Sequence, residues 1–323
     1  MDESWQRCIS DFLQSIEDIS GSIRSRMAYH YVLNRFFADS RNPDEYSRSD
    51  VQAFLNEPSR LRYKQGQQVK PATKNQRLMV LNSFYKYAAT YEIHGQQLLE
   101  KPAPSLGLKY LKTGPAYKAL TADELERFFS AIDNSTITGL RDRALFLTFF
   151  WTGRRRSEIA RLTWSDIEQA VIVESDGTRR AGVIYRYIAK GKSREVQTSE
   201  LPAPAWNATL AYLQRAGRLP EMQPEYPVFS SLRPDQPHHA LTGGRCNHIF
   251  KFYCKRAGLS PSYSLHSLRH CAARLRYEAG SSIQDVQIFL GHSSLATTDV
   301  YLKRLTGISD PGAKLLIDRF GTL

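Results

Sequence analysis

The sequence predicts a mainly α-helical protein with a small antiparallel β-sheet, divided into two domains. Three observations predict it. Apolar residues recur at helical spacing over most of 1–100 and again from 120 onward. Residues 170–199 switch to short β-branched and aromatic runs separated by turn signals. Between the helical regions, 101–115 is rich in Pro and Gly and has no helical period, which reads as a linker. At 323 residues the chain also exceeds the size that one core usually serves. The expected boundaries are a helical domain over 1–104, a linker over 105–118 and a second domain over 119–323.

In the first helix, expected over 5–19, Trp5, Ile9, Phe12, Leu13 and Ile16 share a face. A second, over 22–37, sets Ile23, Met27, Tyr31 and Phe36 among Arg24, Arg26 and Arg35. Ser49 reads as the cap of a third, which carries Val51, Phe54 and Leu55 and is closed by Pro58. The fourth and longest, over 72–91, is punctuated by Lys74, Arg77 and Lys86. Together they make a bundle of about four helices, basic on part of its surface. Beyond the linker, Thr121 and Glu124 form a capping box, and helices follow over 140–152 and 156–162. Strands are expected over 171–173, 183–188 and 195–198, with Asp176-Gly177 and Gly191-Lys192-Ser193 as turns. The remainder to 320 is helical again, interrupted by a Pro-rich loop over 217–237.

Composition narrows the partners. Lys and Arg number 44 against 32 Asp and Glu, a formal charge of +12. An excess of this size favours a polyanion, since each neutralised phosphate releases condensed counterions. No apolar run approaches the roughly 20 residues that span a bilayer, and the start Met1-Asp2-Glu3-Ser4-Trp5 lacks the basic and apolar regions of a secretory signal. The cysteines (Cys8, Cys246, Cys254 and Cys271) form no CxxC pair, which argues against a disulfide framework or a zinc module. These features fit a reducing cytoplasm.

Four motifs carry chemistry. The first is Thr152-Gly153-Arg154-Arg155-Arg156-Ser157-Glu158, followed by Leu162-Thr163-Trp164-Ser165-Asp166. A glycine beside clustered arginines at a helix start can aim N–H groups and guanidinium forks at one phosphate. The second, Ala189-Lys190-Gly191-Lys192-Ser193-Arg194, sits at the tip of an expected hairpin, where a lysine can reach into a groove and donate a proton. The third, Ser264-Leu265-His266-Ser267-Leu268-Arg269-His270, opens a helix and puts His266 and Arg269 on one face. His266 and His270 at i and i+4 lack the HEXXH glutamate, because Ser267 stands in its place, so no metal is expected. The fourth is Leu290-Gly291-His292-Ser293-Ser294, then Thr297-Thr298-Asp299-Val300-Tyr301. Each has an ordinary reading alone, as a solvated basic helix end, a surface lysine, a helix-end histidine or a packed tyrosine. Their combination and order do not.

In that order the sequence resembles the tyrosine recombinase, or phage integrase, family, in particular its compact Xer-like and cointegrate-resolvase-like members. The resemblance covers nearly the whole chain, with the motifs concentrated in 120–302. It implies an N-terminal helical core-binding (SAM-like) domain followed by a mixed α/β catalytic domain ending in a tail helix. Matched motif by motif, it implies Arg155, Lys190, His266, Arg269 and His292 as catalytic residues and Tyr301 as nucleophile, with Glu158 and Asp166 in support. Three departures stand out. Arg154 and Arg156 flank Arg155 where apolar residues are common, Lys192 competes with Lys190 as the acid, and 221–240 forms a longer polar loop than a minimal member needs. Arg24, Arg26, Lys74, Arg77 and Lys86, with Arg154 and Arg156, are then expected to contact DNA.

The implied reaction is phosphoryl transfer without metal or cofactor. Arg155 and Arg269 would clamp the scissile phosphate while Tyr301 attacks phosphorus, its phenol activated from an ordinary pKa of about 10 by the arginine field and by His266 as base. Lys190 would protonate the departing 5′ oxygen and His292 would hydrogen-bond a phosphate oxygen. The 3′-phosphotyrosyl link conserves bond energy, so ATP is unnecessary. The resemblance further implies a homotetramer on two duplexes, each with an inverted-repeat core site, in the bacterial cytoplasm at the nucleoid, with an accessory DNA-binding protein as a further partner. A tail helix opening at Asp310-Pro311, with Leu315, Leu316, Ile317 and Phe320, would dock on a neighbouring protomer or on its own body. A type IB topoisomerase-like relaxing enzyme and an inactive DNA-binding regulator are the alternatives. A metal-dependent nuclease would need a carboxylate cluster that the sequence lacks.

Overall fold

The structure, a computed structural model, describes residues 1–58, 67–112, 118–174, 176–189, 195–233, 235 and 238–291. The chain divides into two compact units, Met1–Gly114 and Pro115–Leu323. Mostly helical, with small antiparallel sheets, it has the predicted fold class. No described helix is long and apolar enough to cross a membrane.

In the first unit, α1 (Glu3–Ser20) packs on α2 (Ile23–Phe36) and on α4 (Pro71–Ala88), and α3 (Arg48–Asn56) also packs on α4. Trp5, Phe12, Leu33, Phe36, Val51, Phe54 and Phe84 meet in one core, where Phe12 and Phe84 stand edge to face at 5.5 Å, a preferred aromatic geometry. The cap of α3 is Ser47, not Ser49. The Asp50 N–H donates to Ser47 Oγ and the Asp50 carboxylate accepts from the Ser47 N–H, which closes a reciprocal box. After α4 comes a short hairpin, β1 (Glu92–Ile93) against β2 (Gln96–Gln97). Residues 101–112, which have no helical period in the sequence, are tied to α4 by a side chain. The Asn75 amide donates to Leu111 O at 2.9 Å and accepts from Leu111 N at 2.8 Å.

The second unit runs α5 (Ala122–Ser130), α6 (Ile137–Thr152), α7 (Arg156–Ile159), β3 (Ile167–Val173), β4 (Arg179–Ile188), β5 (Val196–Glu200), α8 (Ala203–Arg215), α9 (Gly243–Arg256), α10 (His266–Glu278) and α11 (Ile283–Leu290). Thr121 and Glu124 form the expected capping box on α5. Phe128, Phe146, Phe250 and Tyr253 cluster at the centre of the core. The sheet is antiparallel in the order β3-β4-β5, and α7 and α8 pack on β4. Val183 and Tyr185 point into the core from alternate positions of β4. β3 and β4 start four residues earlier than the apolar runs suggest. Backbone pairing carries polar Glu168, Gln169, Arg179 and Arg180 into the ladder at exposed positions, where no apolar signal marks them.

Candidate active site

The site is built where α6 ends. Gly153 terminates α6 in the left-handed conformation (φ +61°), and a Cβ there would stand 2.3 Å from the Phe289 ring on α11. Only glycine meets both demands. The chain then turns through Arg154 into Arg155, the cap of α7. Glu158, with 2% of its side chain exposed, fixes Arg155 twice: one oxygen accepts from the Arg155 N–H at 2.8 Å and the other pairs with its guanidinium at 3.2 Å. The Arg155 side chain keeps 28% of its surface exposed, so its orientation is set from within while part of the fork faces out.

Arg269 comes from α10 to the same turn. Its guanidinium donates to the carbonyl of Gly153 and to that of Leu290, the last residue of α11. One side chain thus ties the end of α6, two residues before Arg155, to the end of α11, where Gly291 again takes the left-handed conformation (φ +60°). His266 is the first residue of α10, exposed and one turn before Arg269, and the preceding Leu265 N–H is held by Asn247 Oδ1 at 2.9 Å. Asp166 caps Thr163 just before β3 and holds the chain after α7.

Lys190 and Lys192, in the chain between β4 and β5, and His292 and Tyr301, beyond α11, lie outside the described residues, as do the turn 191–193 and the tail 309–323. The described strands bracket the lysines, with Ile188 paired to Val196.

Two of the expected DNA contacts are corrected by burial. Arg77 is 4% exposed and its Nη1 donates to the carbonyls of Phe54 and Glu57 at 2.6 and 2.7 Å, finishing α3. The period of α4 turns it inward, where its charge suits a helix C-terminus. Arg154 is 6% exposed and bonded to Tyr185 on β4. The others lie nearer the surface. Arg24, Lys86 and Arg156 are exposed, Arg26 pairs with Glu17, and Lys74 bonds Asn56. The sequence reading missed Tyr185 and Tyr187, neighbours on one face of β4. Their signal was strand alternation running into the Lys190 motif.

Other nucleophiles are suppressed. Cys8, Cys246, Cys254 and Cys271 are buried and unpaired with one another, and burial pushes each thiol up to about 12. Among the described residues no three His, Cys, Asp or Glu side chains are grouped as metal ligands.

Residues 118–306 match the phage integrase family, and tyrosine recombinase XerC of Myxococcus xanthus is 32% identical over 245 residues, spanning 72% of this chain and 71% of its own. The chain belongs to the phage integrase family. This tyrosine recombinase is also 27% identical over 307 residues to XerD of Listeria innocua, across 91% and 92% of the two chains. Its fold is shared with XerH bound to a palindromic difH substrate (TM-score 0.62, 20% identity, 92% and 84% coverage) and with a lambda integrase dimer on a core site (TM-score 0.63, 16% identity, 94% and 97% coverage). The recombinase is a site-specific DNA strand-exchange enzyme, and the buried Glu158–Arg155 box and the Arg269 bridge meet at the turn between its α6 and α7.

Proposed function

We propose that the protein cleaves each DNA strand with Tyr301, holds the 3′ end as a phosphotyrosine and passes it to the 5′ hydroxyl of a partner duplex. The observation that carries this reading is the meeting at one turn of two guanidiniums from distant parts of the chain. Arg269 donates to Gly153 O across 116 residues, two positions from Arg155. Two forks fixed from behind suit the non-bridging oxygens of a single phosphodiester, whose charge they would stabilise as the transition state forms. Tyr301 attacks phosphorus, and the P–O bond to the 5′ carbon's oxygen breaks as Lys190 supplies that oxygen with a proton. His266 accepts the phenolic proton and His292 hydrogen-bonds a phosphate oxygen. Lys192 is the alternative acid.

Both units would contact the DNA. A lambda integrase tetramer has been solved on a Holliday junction, and a homotetramer on two inverted-repeat sites, in the cytoplasm, is the assembly we propose here. Resolution of joined replicons and integration of a mobile element use the same chemistry and differ in the placement of sites. Plasmids with sites in direct repeat and on separate molecules distinguish the two by their products, and relaxed circles alone would favour the topoisomerase alternative.

The deciding experiment traps the covalent adduct on a nicked suicide substrate. The parent protein should accumulate a protein–DNA adduct, whereas Tyr301→Phe should form none and still shift the DNA in a gel. An adduct that persists in Tyr301→Phe would remove the nucleophile from this scheme.

A further inference from the structure

Arg154 is a guanidinium that the clamp does not use. It is 6% exposed, and no ion pair joins it to a carboxylate among the described residues. Its partners among the described residues are neutral. Nε donates to Tyr185 Oη at 2.8 Å, Nη2 reaches Ser199 Oγ at 3.5 Å, and the guanidinium carbon lies 4.2 Å from the centroid of the Tyr187 ring. On its remaining side, a Cβ placed on Gly291 would stand 3.1 Å from Nη1, so glycine leaves room for the cation beside the end of α11. Burying a cation among neutral groups opposes folding, and the aromatic face offsets only part of that cost. A leucine would fill the space without the cost. What the described contacts give Arg154 is a hold on two tyrosine side chains, the Tyr185 hydroxyl and the Tyr187 ring, directly before Arg155.

Tyr187 lies against Arg154, the residue that precedes Arg155 in the turn between α6 and α7. It shares a strand face with Tyr185 and stacks on it at 5.5 Å with a 29° tilt, so one ring side is set by Arg154 and the ring is braced by its neighbour. Tyr185 is sealed, whereas Tyr187 is only partly buried. α7, which Arg155 caps, packs on the strand that carries it. Burial raises the Tyr187 phenol, while Arg154, Arg155 and Arg269 draw it down and Glu158 adds to the rise. The geometry that ties the ring to the clamp is its place on the strand against which α7 packs and its contact with Arg154, one residue before Arg155. With its net shift upward, the phenol stays protonated, and able to donate, at neutral pH.

We propose that Tyr187 is a further phosphate-contacting residue, its hydroxyl donating a hydrogen bond to a non-bridging oxygen of the scissile phosphodiester, and that Arg154 is the positioning residue that holds its ring in place. The inference rests on the phosphate site described under Proposed function. A fixed neutral donor strengthens as charge builds on the oxygen, so it acts on the cleavage step more than on DNA binding. The two arginines supply charge, and Tyr187 supplies direction.

The test uses the full chain, the nicked suicide substrate and single-turnover conditions. Tyr187→Phe, which keeps the ring and the cation contact, should slow adduct formation about 10- to 100-fold and leave the Kd for uncleaved DNA within about twofold. Arg154→Met should slow it in the same way, and Arg154→Lys should recover part of the loss. A second substrate carries a neutral methyl group in place of one non-bridging oxygen of the scissile phosphate, prepared as separate stereoisomers. With the isomer that lacks the contacted oxygen, parent and Tyr187→Phe should cleave alike, whereas the other isomer should keep the penalty. A purely structural role predicts one penalty for every substrate, and that result, or a Tyr187→Phe rate within twofold of the parent on natural DNA, overturns the inference. Peptide mapping that places the DNA on Tyr187 itself would overturn it too, in favour of a different nucleophile. If the parent forms no adduct, the underlying site reading fails first. A parent adduct that needs Tyr301 but ignores Tyr187 fails only this inference.

Discussion

Arg77 in the first unit and Arg269 in the second are 4% and 6% exposed, and both guanidiniums donate to backbone carbonyls at helix ends. In both places a cation meets the negative end of a helix and satisfies carbonyls that the helix leaves open. The difference lies in what surrounds them. Arg77 also covers the Phe54 ring at 4.8 Å and closes a local packing arrangement on α3. Arg269 bridges the ends of α6 and α11 beside two further arginines, with Glu158 as the carboxylate bonded to Arg155. Capping fixes where a buried arginine stands, and the charges around Arg269 are what set it apart from Arg77 and underlie the phosphate-binding role proposed for it.

The largest effect that would sharpen this contrast is at Arg155. Arg155→Lys keeps a cation but loses the planar fork, so single-turnover cleavage should fall about 10²- to 10³-fold, as when one preorganised donor is removed elsewhere, with the thermal midpoint little changed. Cleavage within fivefold of the parent would mean that Arg155 does not grip the phosphate. Arg77→Met should do the reverse. The carbonyls of Phe54 and Glu57 lose their donor, and stability to urea should drop by about 2–3 kcal/mol, whereas cleavage well below the midpoint should stay near the parent rate. If Arg77→Met leaves stability intact and weakens DNA binding, the capping role assigned to it is wrong.

These arginines also mark what the sequence could and could not disclose. The turn at Gly153, the box between Thr121 and Glu124 and the pairing of His266 with Arg269 on one helix were legible because local chemistry dictates them: a left-handed glycine, a reciprocal cap, and i, i+3 geometry. The helix periods of α1, α2 and α4 were legible for the same reason. The fate of Arg77 and Arg154 was not. A basic residue at an inward position looks identical in sequence to one on the surface, and only the tertiary partners separate them, here the carbonyls at the end of α3 for Arg77 and two aromatic side chains for Arg154. Tyr187 was hidden likewise, because alternation along β4 showed which face it shared but not that an arginine turn would pack against that face. Ser49 was mistaken for Ser47 because both are good caps two residues apart, and the reciprocal bond with Asp50 settles the choice in favour of Ser47.

The smallest expected effect compares two capping boxes. Glu158 holds Arg155 from a buried position, whereas Asp50 holds Ser47 from a partly exposed one. The Asp50 carboxyl is lowered to about 2, first by hydrogen bonds from the Ser47 hydroxyl and N–H and then by Arg41. A carboxyl lowered on folding adds stability that is fully present above its unfolded pKa near 4, and this is lost as pH falls through about 2. Asp50→Asn should therefore be less stable than the parent by a constant amount above about pH 5, and the gap should narrow between about pH 4 and 2, as read by urea midpoints across that range. Its cleavage rate at neutral pH should not change, because the box it breaks orders α3 and none of the residues proposed to hold the phosphate. A gap that stays the same width down to pH 2 would show that the Asp50 carboxylate is not what holds the start of α3, and a matching loss of cleavage would show that the two boxes are not independent.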